Sequence, residues 1–189
     1  NKVFNFIRLN IYPDGGVARL KLLGNLDVSK LKFPNKKFDL LSVLNGSKIV
    51  ACSDEHFGKA ENLLLPFKSK NMGNGWETRR RRGVGFDWVI IKLGKPGFIE
   101  NFDIQTHYFK GNYPSFCSVQ SYFSNTNINI NSIVNSSKKW EYLIKNLELK
   151  PHSSIKKQLS KKSKKINYIK LNIYPDGGIS RIRSTGKIV

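Results

Sequence analysis

Cysteine is nearly absent. Cys52 and Cys117 are the only two in 189 residues, and no CxxC pair occurs. This argues against a disulfide framework or a thiolate metal site, and free thiols in a reducing cytoplasm are expected. No apolar run approaches the ~18–20 residues a helix needs to cross a bilayer, so no membrane association is expected. No leading signal peptide is expected. Walker, HExxH and GxSxG motifs are missing, and the glycines at 73, 75, 83 and 85 are wrongly spaced for a dinucleotide fingerprint. No RRM, KH or helix-turn-helix pattern is present either, so a nucleic-acid partner is not expected.

Acidic residues are also scarce: 13 stand against 33 Lys and Arg, giving a formal net charge of +20. Such a balance can mark a polyanion binder. The preferred reading is compositional drift, because many lysines fall in loop-like stretches, Lys36–Lys37 and 156–165 (KKQLSKKSKK). Asparagines collect similarly in 125–135, and low-complexity insertions lengthen surface loops at little thermodynamic cost. Few aromatics are interleaved with the lysines in sequence, which weakens a stacking platform for single strands. A basic surface still attracts small anionic substrates.

What the chain does have is a repeated phrase. Residues 5–24 (NFIRLNIYPDGGVARLKLLG) and 167–186 (NYIKLNIYPDGGISRIRSTG) match without gaps at an offset of 162, with 12 of 20 positions identical. A repeat of this kind governs domain organisation. It divides the chain into 1–25, the terminal hairpin of a preceding unit; 26–49, a linker and lead-in; and 50–189, one whole unit. In each copy an alternating segment, a Pro-Asp-Gly-Gly turn and a second alternating segment predict a β-hairpin. Between the copies, 86–93 (FDWVIIKL), 98–106 (FIENFDIQT) and 116–123 (FCSVQSYF) read as strands, with a turn at 94–97 (GKPG). Helices are expected only at Glu61–Leu65 and at Lys138–Leu147, where Trp140, Leu143, Ile144 and Leu147 share a helical face and serve packing. Many short strands with few helices predict an all-β, antiparallel β-sandwich.

Four clusters carry chemistry-bearing residues. The densest is 75–88, with Trp76, Glu77, four consecutive arginines (Arg79 to Arg82), Asp87 and Trp88. A charge run is ordinarily a solvated face, but guanidinium suits bidentate carboxylate binding, and the adjacent Trp and Glu favour a pocket. The second, 103–114, packs Gln105, Thr106, His107 and Asn112 into a strand-to-loop corner. The third, 53–62, offers Asp54, Glu55 and His56 as metal ligands or a general base, or as a solvated acidic turn. The fourth is Pro151-His152-Ser153, where a lone histidine is more often structural.

Together these phrases resemble the allantoicase family. SDEHFGKAENLL (53–64), GWETRRRRG (75–83), DWVIIKLGKPGFI (87–99), THYFKGNYP (106–114), PHS (151–153) and both LNIYPDGG copies fall in that family's order. The resemblance covers 50–189 as one repeat and 1–25 as the end of another. It implies a jelly-roll, galactose-binding-domain-like sandwich, a homo-oligomer, and hydrolysis of allantoate to ureidoglycolate and urea in purine breakdown. On that basis Glu77, Asp54 and Asp87 are candidate acids or bases. Arg79, Arg80, Trp76, Thr106, Gln105, Asn112 and His152 are candidate substrate contacts. A divalent metal on the carboxylates is an open reading that no spacing defines. The chain departs from the family pattern at Phe86 (commonly His), at Gln105 (commonly Asp), and at Asn5-Phe6 and Asn167-Tyr168 (commonly Thr-His). Two other readings stay open: a ligand-binding sandwich without catalysis, and a basic polyanion-binding module.

Overall fold

The computed structural model describes residues 3–22, 24, 26–33 and 36–189. Ten strands and one α-helix form the body: β1 (Phe38–Asp39), β2 (Lys48–Cys52), β3 (Trp76–Glu77), β4 (Asp87–Gln105), β5 (Phe116–Tyr122), α1 (Ile130–Ser136), β6 (Glu141–Glu148), β7 (Ser154–Gln158), β8 (Ile166–Tyr174), β9 (Gly178–Ile179) and β10 (Arg181–Ile188). All strand pairs are antiparallel. The result is a mostly antiparallel β-sandwich with little helix, as the strand pattern predicts.

The organising element is β4, which is long enough to serve two layers. Its first half pairs with β2 and β8, and its second half with β10 and β7. One layer therefore runs β2–β4–β8–β5–β6 and the other β1–β10–β4–β7. The backbone stays strand-like through 94–97, but the expected reversal is there: Gly97 faces both Ile166 at the start of β8 and Ile188 at the end of β10, so the two halves of β4 run in opposite directions, and a register shift between Lys92 and Gly97 marks the change of layer. Gly97 permits this, because a Cβ there would stand 2.6 Å from the Lys187 carbonyl oxygen. Inward side chains of both layers, including Val89, Ile91, Phe102, Ile104, Leu171, Ile173 and Ile182, form one buried cluster. On the outer face of the first layer, Ile90 and Tyr168 are covered by Ile133 of α1 and by Trp140. Burial on both faces explains the unbroken apolar centre of DWVIIKL.

The two repeat copies behave differently. In the second, β8 and β10 flank the Pro-Asp-Gly-Gly turn but do not pair with each other. Each has an apolar inner face, so they are placed in opposite layers across the core, and the expected hairpin becomes a layer-crossing corner. In the first copy no strand forms among the described residues, and the same apolar positions stand exposed, Phe6 at 92% and Tyr12 at 85%. A lone hairpin has little to hold it in water. The expectation for Asn1, Lys2, Leu23 and Asn25 lies outside the described residues. The packed unit also reaches further back than residue 50, since β1 pairs with β10 and Leu40 and Leu41 are buried in the core.

In place of the helix expected at Lys138–Leu147, a 3-10 turn at Ser137–Lys139 leads into β6, the edge strand beside β5. Two register shifts along that pairing break the period of two, so Ile144 and Leu147 meet the core at a spacing that imitates a helix turn. The only α-helix among the described residues lies in the asparagine-rich stretch read as a loop. Asn129 caps it by accepting the Ser132 amide at 2.8 Å. The short turn at Ala60–Leu64 falls where a helix was expected, but is 3-10.

Both cysteines are free; Cys117 is buried and Cys52 partly so. Burial pushes the Cys117 thiol up to about 12, and burial with the nearby Glu55, Glu61 and Asp54 pushes Cys52 up to about 11. Because thiolate is the reactive form, the folded protein is expected to react negligibly with a thiol reagent at pH 8. Two equivalents should react after denaturation; prompt labelling of native protein would contradict this packing.

Candidate functional site

The rim at one end of the sandwich is assembled from three loops and the corner after β8. β3 lies between them, pairing with β9 and bridging to Gly58. Alternation along β3 sends Trp76 inward and Glu77 outward. Trp76 is fully enclosed, and its indole N–H donates to the Asp54 carbonyl at 2.8 Å. It is therefore a structural peg with no face open to a ligand, which corrects its place among the substrate contacts. Glu77 accepts a short hydrogen bond from the Asn112 side-chain amide.

The corner glycines make this approach possible. Gly177 has φ +126°, and a Cβ on it would lie 2.6 Å from the Asn112 carbonyl oxygen. Gly178 has the Phe109 ring against it and donates its N–H to that same Asn112 oxygen at 2.7 Å. The Pro-Asp-Gly-Gly turn thus seats the 109–112 loop as well as reversing the chain.

The arginine run is tied down at alternate residues. Asp54 accepts the Arg79 backbone N–H at 2.7 Å and its Nε at 3.2 Å. Asp87, only 1% exposed, accepts Arg81 Nη2 at 2.5 Å and the Ser53 hydroxyl at 2.9 Å. Asp176 accepts the Arg81 backbone N–H at 2.8 Å. Arg80 and Arg82 are exposed, and among the described residues neither has a carboxylate within ion-pair distance. Ser53, Asp54, the four arginines, Gly83 and Asp87 line an open hollow of about 380 Å³. Burial raises the Asp54 pKa, but the amides of Arg79 and His56 and the Arg79 guanidinium outweigh it and hold the carboxyl below its ordinary value.

The remaining candidates lie elsewhere or are committed. The buried Thr106 hydroxyl donates to the Lys150 carbonyl at 2.5 Å and accepts the Ser153 amide at 3.0 Å, so it locks two loops together and is not open to a ligand. Gln105 projects from the outer face of β4 and donates to Asp103 at 2.8 Å. That is the face opposite Phe102 and Ile104, away from the arginine cavity. His152 lies outside that cavity too. Its Nδ1 accepts the Tyr108 amide at 2.8 Å, and its own amide donates to the Phe109 carbonyl at 3.0 Å. His152 and Tyr108 adopt φ +46° and +72°, strained values for non-glycine residues. His107 packs edge-on against His152, and burial followed by His152's charge lowers its pKa. His152 thus holds the loop that carries Asn112.

No cluster of three or more His, Cys, Asp or Glu suited to a metal occurs among the described residues. Asp54 and Asp87 each already face an arginine guanidinium, which disfavours a cation beside either carboxylate. The residue that sequence reasoning missed is Asp176. Its signal was the exact recurrence of Asp in both PDGG copies, which was read only as turn chemistry.

Layers sharing one strand define a fold class first. The structure resembles an F5/8 type C domain from Bacteroides fragilis, with a TM-score of 0.57 and 13% identity over 82% of this chain and 100% of that one. Sequence then gives the family. The Allantoicase repeat model matches residues 38–189, and the chain belongs to the allantoicase family. It is 45% identical over 192 residues to a probable allantoicase of Pseudomonas fluorescens, covering 100% of this chain and 57% of that protein. The allantoicase structure from Saccharomyces cerevisiae matches with a TM-score of 0.70 and 35% identity over 82% of this chain and 45% of that one. The chain thus spans little more than half the length of the curated relatives it matches.

Two outcomes test the rim. Arg81→Ala strands the buried Asp87 carboxylate and is expected to cost about 3–5 kcal/mol, with much of the loss recovered by adding Asp87→Asn. Additive losses in denaturant unfolding would show that the pair is not coupled. Asp54 has a depressed folded pKa, so its contribution is present above the ordinary carboxylate pKa and disappears as pH falls through the lower folded value. Asp54→Asn should therefore lower Tm at pH 7, with the gap closing below about pH 4. A gap independent of pH would contradict the assignment.

Proposed function

We propose that the full-length protein hydrolyses allantoate to ureidoglycolate and urea, with the arginine cavity and the Glu77–Asn112 pair as the site. The observation that carries this reading is the alternate anchoring of the arginine run. Arg79 and Arg81 are held by Asp54 and Asp87, which leaves Arg80 to meet a substrate carboxylate. Arg79 keeps 68% of its side chain exposed, so its outer guanidinium nitrogens can share that carboxylate.

Allantoate carries two ureido groups and a carboxylate on one carbon. Asn112 orients a ureido group through its amide, and Glu77 exchanges protons with the leaving nitrogen. As the C–N bond breaks, Glu77 protonates the departing urea, while the lone pair of the other ureido nitrogen stabilises the electron-poor carbon. Water adds to that carbon and returns a proton to Glu77, so one water is consumed and the acid is regenerated. Asp54, Asp87 and Asp176 act by positioning, since each accepts a bond from the arginine loop. His152, Thr106 and Trp76 support the surrounding loops.

The free thiols support a reducing, cytoplasmic setting, and no described helix is long and apolar enough to cross a membrane. The exposed apolar residues of 3–22 favour cover by a preceding repeat or another subunit, in keeping with a homo-oligomer built from duplicated units.

Urea release from allantoate tests the proposal. Glu77→Gln should lower kcat by about 10²–10⁴ with little change in KM. Arg80→Ala should act chiefly by raising KM. Wild-type turnover in both variants would overturn the assignment; allantoate binding without urea release would favour a non-catalytic sandwich.

A further inference from the structure

The largest cavity among those described, about 690 Å³, lies away from the arginine rim. It opens between the end of β5, the α1–β6 connection and the loop from β7 to β8. The run 156–165 contains no aromatic residue, yet the fold lays its second half beside Tyr122, Phe123, Trp140 and Tyr142. Trp140 is buried and stacks on Tyr122 at 5.3 Å with 11° between the planes. Tyr122 and Tyr142 remain substantially exposed, offering aromatic surface to a planar group.

Five lysines edge this cleft: Lys139, Lys161, Lys162, Lys164 and Lys165. Its one acid is Glu141, which pairs with Lys164 at 3.0 Å. The lysine loop is a fixed wall. Leu159 donates its amide to the Glu100 carbonyl at 2.9 Å, and Ser163 exchanges two 2.8 Å hydrogen bonds with the Ile99 backbone. Lys165 lies over the ring of Phe123, a residue of the cleft, at 5.0 Å, and Lys162 over the Phe98 ring beside it at 4.7 Å. A lysine-rich wall anchored beside exposed aromatic surface suits a ligand with a planar ring and several negative charges. The cavity falls within the ~300–1,000 Å³ of small-molecule sites.

We propose that this cleft binds a nucleoside phosphate, with its base against Tyr122 and Tyr142 and its phosphates on the lysines. The inference is independent of the allantoate reading, which uses none of these residues.

The test is calorimetric titration of the full-length protein with ATP, and with inorganic tripolyphosphate as the ring-free comparison, at about 0.15 M salt. Saturable ATP binding is expected. Lys161→Gln, Lys162→Gln and Lys165→Gln together should weaken it by about tenfold or more, whereas the charge-matched Lys30→Gln, Lys32→Gln and Lys36→Gln should leave it near wild type. Tyr142→Ala should weaken ATP binding and spare tripolyphosphate. No saturable ATP binding, equal weakening by both triple variants, or equal affinity for the two ligands would overturn the proposal.

Discussion

The buried ion pair between Asp87 and Arg81 is the contact on which the candidate site rests. Asp87 begins the long shared strand, paired with Ile173 of β8 on one side, with Ser53 donating its amide to the adjacent Trp88 carbonyl on the other. A carboxylate this deeply buried demands a cation and hydrogen-bond donors. Arg81 and Ser53 supply them, and in doing so they bring two rim loops to one point. Asp176 then binds the Arg81 amide from the corner after β8. With Arg81 fixed by side chain and backbone, and Arg79 fixed by Asp54, a run of four like charges becomes an ordered edge. The mutual repulsion of the guanidinium groups is offset by aspartates from three separate parts of the chain.

The same logic distributes the other basic residues of the second repeat copy. Arg181 is buried, donating to the carbonyls of Phe67 and Asn74 at 2.8 and 2.6 Å. Burial, followed by the charge of Arg183, lowers its pKa to about 10. Arg183 binds the carbonyl of Leu65 in the same stretch and pairs with Asp39 at 3.5 Å. These two side chains secure the irregular segment that leads into β3, and so help to place Trp76 and Glu77. Excess positive charge therefore has at least two structural uses here, binding carboxylates at the rim and capping carbonyls beneath it.

Much of this was legible in the residues. Strong alternation exposed most strands, the PDGG turn marked a corner, and the phrases around Glu77 and Asn112 pointed to loops that do meet. What could not be read was which strands pair. A hairpin and a layer-crossing corner share the same alternation and the same turn, and only packing across the core separates them. The helix expected at Lys138–Leu147 failed because bulged pairing gives core spacings of three. Trp76, Thr106 and Gln105 were chosen for chemical type, and type does not reveal whether an indole is enclosed, a hydroxyl committed or an amide turned to the opposite face. The lysine-rich run, dismissed on composition, acquires aromatic neighbours only through long-range contacts.

The central claim is that a small ureido acid sits against Arg80, Glu77 and Asn112. The most direct measurement is a crystal structure of the full-length Glu77→Gln protein soaked with allantoate. Ligand density is expected with its carboxylate on Arg80 and a ureido group beside Asn112. Density for allantoate at any other position, with the arginine rim empty, would contradict it.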